Sequence, residues 1–97
     1  MKEKGSIKSR PVLEHEFAED LGNERYLILH NDEVHSFEFV IETLVEVCDH
    51  EPYQAEQCTF IAHYKGRCAV KSGTYNELKP KSDEMMRRGL TVTIETA

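Results

Sequence analysis

Five residues able to accept hydrogen bonds, move protons or hold metals follow closely on one another: His30, Asn31, Asp32, Glu33 and His35. A sixth, His63, stands further along the chain between Ala62 and Tyr64. Each also has a plain reading, Asn31 and Asp32 as turn formers, Glu33 as a solvated charge and His63 as an ordinary surface or half-buried histidine. Enzyme chemistry fits them poorly. Asp32 and Glu33 are neighbours, and in an extended segment neighbours point to opposite faces, so they cannot share acid and base roles. Cys58 and His63 are five residues apart, which on a helix is about 140° of rotation and separates thiol from imidazole. A metal site built from His30, His35 and His63, or with Cys48, stays open, but its spacing matches no zinc pattern. There is no glycine-rich phosphate loop.

The elements that must position these residues are legible from periodicity. Tyr26-Leu27-Ile28-Leu29 is a short apolar run ending in turn-forming residues, which predicts a buried strand running into a loop. Ser36 is suited to cap a helix whose apolar residues Phe37, Val40, Ile41, Leu44, Val47 and Cys48 recur at three- and four-residue steps. Pro52 suits the first turn of a second helix, with Ala55, Cys58, Ile61 and Ala62 as its apolar residues and Gly66 as its stop. Arg67 to Ser72 reads as a second strand, and Thr74-Tyr75-Asn76-Glu77 as a capping box opening a third helix that Gly89 closes. Pro80 falls inside that helix and is expected to kink it or delay its regular part. Leu90, Val92 and Ile94 alternate with polar residues as a last strand. The predicted fold is α+β in the order βααβαβ, a three-stranded, mainly antiparallel sheet covered on one face by three helices.

Size and charge narrow the partners. The chain has 97 residues and a net charge of -6, enough for one domain and unfavourable for a broad footprint on nucleic acid or an anionic membrane. No run reaches the roughly 18 to 20 apolar residues of a membrane span, and no apolar segment follows Met1-Lys2-Glu3-Lys4 as a secretory signal requires. The expected location is the cytoplasm, with Cys48, Cys58 and Cys68 reduced and packed as small core residues. Residues 1–23 are charged and poor in large apolar groups and read as a flexible extension, leaving residues 24–97 as the folded domain.

Taken together, Leu29-His30-Asn31-Asp32-Glu33, Phe37-Glu38-Phe39-Val40-Ile41 and Ala62-His63-Tyr64-Lys65-Gly66 resemble the Clp protease adaptor family ClpS, in the same order and at similar spacing from about Tyr26 to Glu95. The resemblance implies an adaptor of the N-end rule pathway, with no catalytic residue and no cofactor. It would hold proteins by an N-terminal Phe, Leu, Tyr or Trp and deliver them to a Clp AAA+ unfoldase of ClpA or ClpC type. It implies that Asn31, Glu33 and His63 accept the three N–H donors of the substrate α-ammonium group, and that Asp32 shapes the turn. It also implies a pocket for the first side chain from Leu29, His35, Phe37, Val40, Thr59, Ala62 and Leu90, and chaperone docking through Glu77 and Lys81. The chain departs from the family pattern at Glu33, where Asp is usual, at Phe37 (Met), His35 (Thr) and Ala62 (Val). The runner-up reading is a module that docks on a Clp chaperone and modulates it without binding N-terminal residues.

Overall fold

The computed structural model describes residues 24–96, so the expected extension over residues 1–23 lies outside the described residues. Strand β1 (Arg25–His30) leads into helix α1 (Phe37–Cys48) and helix α2 (Pro52–Lys65). Strand β2 (Arg67–Gly73), helix α3 (Tyr75–Arg87) and strand β3 (Val92–Thr96) complete the order βααβαβ. The sheet order is β2-β1-β3 with both pairings antiparallel. This is the predicted architecture.

The central position of β1 explains its composition. Leu27 and Leu29 enter the shared core, while Ile28 is buried outside that cluster. The pairing of β1 with β2 slips between Leu27 and Ile28, opposite Lys71 and Ala69, which leaves Val70 as the extra residue of a bulge. Its carbonyl is not wasted: Nε2 of the buried His50 donates to it at 2.6 Å. Neither the bulge nor this partner was legible in the sequence.

Helix ends follow the chemistry of their caps. The Ser36 hydroxyl accepts the Phe39 N–H at 3.1 Å, and Thr74 and Glu77 form a reciprocal capping box. Pro52 occupies the first turn of α2, and Gly66 ends the helix at φ 96°, in the left-handed region that costs a glycine least. Pro80 is tolerated inside α3, which runs unbroken from Tyr75 to Arg87. As the sixth residue of the helix it removes only one early hydrogen bond, to the carbonyl of Asn76, and both residues lie on the exposed face.

The helices bury Val40, Leu44 and Cys48 from α1, Ala55, Thr59 and Ala62 from α2, and Leu78 and Met85 from α3. Leu27, Leu29, Leu44, Leu78 and Met85 are among the largest fully buried side chains, each contributing about 1.5 to 3 kcal/mol. Of the three cysteines only Cys48 is fully buried; Cys58 and Cys68 are half-buried at the edge of the core. Leu90 is buried but precedes β3, which begins at Val92. No helix among the described residues is long and apolar enough to cross a membrane.

Candidate functional site

A cleft opens where the end of β1, the loop after it and the first two helices converge. Strand β1 supplies Leu29 and His30, the loop Asn31, Asp32 and His35, helix α1 Phe37 and Val40, and helix α2 Thr59, Ala62 and His63; Leu90 closes it from the segment before β3. All seven expected pocket residues therefore line one cleft, together with Asn31, Asp32 and His63. Glu33 does not line it. That side chain is exposed and accepts the Asn31 Nδ2 amide at 2.8 Å.

The loop geometry follows from two anchors. At its start the Asn31 N–H donates to the Gly66 carbonyl at 2.9 Å, tying the loop to the end of α2. The Asp32 carboxylate then accepts the N–H groups of Val34 at 2.6 Å and His35 at 3.1 Å, an Asx-type turn. The other Asp32 oxygen lies 2.5 Å from Nδ1 of His35. Partial burial pushes the Asp32 carboxyl up, but the hydrogen bonds from Val34 and His35 outweigh it and hold the group below its ordinary value. Both Asp32 oxygens are thus occupied within the loop.

Two acceptors at the rim remain uncommitted. Donation of the Asn31 amide to Glu33 fixes that side chain while its Oδ1 accepts no hydrogen bond among the described residues. The ring nitrogens of the half-buried His63 likewise have no partner among the described residues, and the ring meets Phe37 and Tyr64 edge-on. Beneath them the Thr59 hydroxyl donates to the Ala55 carbonyl at 2.8 Å and so turns no unmet donor to the cleft. The cleft opens to solvent, and the space within it is about 20 Å³, room for about one water.

The other candidate chemistries do not assemble. Among the described residues no three His, Cys, Asp or Glu side chains form a group that could hold a metal ion. His30 instead hydrogen-bonds the Thr93 hydroxyl at 2.8 Å. Burial raises the Cys48 thiol to about 11, and burial with the adjacent Cys58 thiol raises Cys68 to about 12, the reverse of an activated nucleophile. Glu77 and Lys81 line a separate groove with Lys71, Ser72 and Leu78. Both make contacts within the chain, Glu77 in the capping box and Lys81 to the Val47 carbonyl at 3.1 Å. The sequence reading passed over Phe60, whose ring packs against Phe37; its spacing of three from His63 and four from Tyr64 on one helix was the available signal.

An apolar cleft with uncommitted acceptors at its rim is chemically suited to a group with an apolar body and a donor-rich head. The family described as ATP-dependent Clp protease adaptor protein ClpS matches residues 22–93, and the chain belongs to that family. Among solved structures, ClpS2 of Agrobacterium tumefaciens bound to L-phenylalaninamide shares the fold, with a TM-score of 0.67 and 22% identity over 77% of this chain and 98% of that one. No curated protein matches the chain.

Proposed function

We propose that the protein is a cytoplasmic adaptor, without catalytic activity of its own, that holds proteins by a large apolar N-terminal residue and delivers them to a Clp AAA+ unfoldase of ClpA or ClpC type. The observation that carries this reading is the pair of uncommitted acceptors, Asn31 Oδ1 and the His63 ring, set at the rim of an apolar cleft. A free α-ammonium group brings three N–H donors and a charge, and its burial is costly unless each donor is met. Asn31 and His63 meet two. Glu33, which stands outside the cleft and accepts the Asn31 amide, keeps lone pairs that reach the third once its side chain turns inward, and its charge opposes that of the amine. The Agrobacterium relative was solved with L-phenylalaninamide, a ligand with a free amine beside an aromatic side chain.

A peptide beginning with Phe and its Nα-acetylated twin decide the matter by fluorescence anisotropy. Acetylation removes the charge and two of the donors, and affinity is expected to fall at least about tenfold, or about 1.4 kcal/mol. Equal affinities would end the reading. The second reading is a module that docks on the chaperone without taking an N-terminal residue. That reading predicts unfoldase binding with neither peptide bound. Residues 1–23 enter the proposal as the segment used for delivery: a variant beginning at Asn23 is expected to bind Phe peptides normally yet fail to speed degradation of an N-terminal Phe substrate. Full delivery by that variant would remove the extension from the mechanism.

A further inference from the structure

Two large aromatic rings stand on the outer face of α2 without belonging to the core. Phe60 and Tyr64 are 37% and 73% exposed, and neither joins the shared core cluster. Four residues apart on one helix, they share a face, and their rings lie nearly parallel, 10° apart in tilt with centroids separated by 6.1 Å. Both are joined to the cleft. Tyr64 meets His63 edge-on at 4.7 Å, and Phe60 meets Phe37 edge-on at 5.1 Å. Phe37 and His63 line the cleft, so one aromatic surface runs from its lining out to solvent.

A substrate held by its amine brings its next residue to this surface. An amine hydrogen-bonded to His63 at about 3 Å puts the second Cα of the chain within about 8 Å of the imidazole. The Tyr64 ring stands beside that imidazole. In an extended chain neighbouring side chains point to opposite sides, so when the first enters the cleft the second lies outside it, against the rim. On the loop side that rim is polar, built from Asn31 and Asp32, with Val34 beyond them as a single exposed aliphatic side chain. On the α2 side it is aromatic.

We infer that Phe60 and Tyr64 form a second subsite, an aromatic ledge on α2 that takes the side chain of the substrate's second residue and selects an aromatic group there over a small one. The inference rests on the N-terminal residue reading above and deepens it by naming a second selected position. Tyr64, the more exposed ring, makes the contact, and Phe60 backs it. A Trp, Tyr or Phe at the second position lays a ring against Tyr64 and covers apolar surface that is otherwise wet. An Ala there has neither the ring nor the area, and a Leu has the area alone.

The test uses free-amine peptides that begin with Phe and differ only in a second residue of Trp, Leu or Ala, titrated against the full chain and against Tyr64→Ala, Phe60→Leu and Val34→Ser. The unaltered chain is expected to bind the Trp peptide at least about fivefold more tightly than the Ala peptide, the size of one aromatic contact, with the Leu peptide between them. Tyr64→Ala is expected to bring the Trp and Ala peptides within about twofold while the Ala peptide binds as well as before. Phe60→Leu should narrow the gap part of the way, and Val34→Ser should leave it unchanged. An Ala peptide that weakened in step with the Trp peptide would make Tyr64 a mere support for His63 and overturn the ledge. Amine-dependent binding with equal Trp and Ala affinities, a ratio untouched by both α2 variants, or one that falls with Val34→Ser instead would also overturn the ledge alone. Binding that ignores acetylation, or no binding of any peptide, would overturn it together with the reading beneath it.

Discussion

Asp32 and His35 face each other across the loop between β1 and α1, with carboxylate Oδ2 2.5 Å from imidazole Nδ1. The other Asp32 oxygen takes the N–H groups of Val34 and His35, so one carboxylate fixes both the backbone of the turn and the tilt of a cleft-lining ring. Asp32→Ala is expected to destabilise the fold by about 1 to 2 kcal/mol, from lost hydrogen bonds to a charged acceptor. The sign with pH follows from the lowered carboxyl: its contribution is complete above the ordinary value of 3.8 and is lost as pH falls through the still lower folded value. Urea denaturation at pH 6 and pH 3 should therefore show a gap between the two proteins that narrows in acid. A gap that widened toward pH 3 would contradict the assignment.

Binding should separate this turn-forming role from the recognition role. Asn31→Ala and His63→Ala are each expected to weaken a Phe peptide by about 1 to 3 kcal/mol, because each leaves a donor of a charged amine unmet. Asp32→Ala should cost less than either, since its oxygens are already taken by Val34 and His35. Anisotropy titrations of the three variants give the ranking. If Asp32→Ala proved the most damaging, the amine would have to be read as bound by Asp32 rather than by Asn31 and His63.

What the sequence revealed and what it hid divide along the range of the interactions. Ser36, Pro52, Gly66, Thr74 and Glu77 mark helix ends through contacts with residues a few positions away, and those boundaries are read directly from spacing. The cleft residues were reached through the resemblance, because nothing in their spacing tells Leu29 or Val40 apart from ordinary core. Phe60 escaped because α2 carries Tyr53, Phe60, Ile61 and Tyr64 on exposed positions, which blurs the apolar stripe that periodicity detects. The bulge at Val70 depends on His50, twenty residues away, and has no local signature. Glu33 was expected to face the amine directly; its bond to the Asn31 amide is a side-chain pairing that composition does not reveal.

Helix α3 is tied to α1 by charge as well as by packing. The Arg87 and Arg88 side chains both donate to Glu84, and Arg88 reaches Glu46 of α1 at 2.7 Å. The hydrogen bonds from Arg87 and then Arg88 pull the Glu84 carboxyl down to about 2. Because that value is lowered, the contribution is complete above the ordinary 4.5 and is lost as pH falls toward about 2. The cluster is open to solvent, so the effect is small and screened by salt. Glu84→Gln is expected to lower the melting temperature by a few degrees at most at neutral pH and low salt. The difference should shrink in concentrated salt and close as the pH approaches 2; a difference independent of salt would point to packing instead.

Two glycines with nearly the same backbone give the last test. Gly66 has φ 96° and Gly89 φ 94°, both in the left-handed region. A Cβ on Gly66 would meet nothing within 4 Å, whereas one on Gly89 would lie 3.0 Å from Nε2 and 3.2 Å from Cε1 of His35. The backbone penalty is shared, so each change to Ala is expected to destabilise by about 1 to 2 kcal/mol. Only Gly89→Ala also presses on the cleft. Asp32 holds the His35 ring at Nδ1, so the ring cannot retreat freely, and an off-rotamer shift costs about 0.5 to 1.5 kcal/mol. Peptide affinity should therefore fall in Gly89→Ala by an amount of that order and stay unchanged in Gly66→Ala, with urea denaturation confirming comparable losses of stability. If both variants bound the Phe peptide like the unaltered chain, His35 would not be a working wall of the cleft, and the ring's place beside Gly89 would be a matter of packing alone.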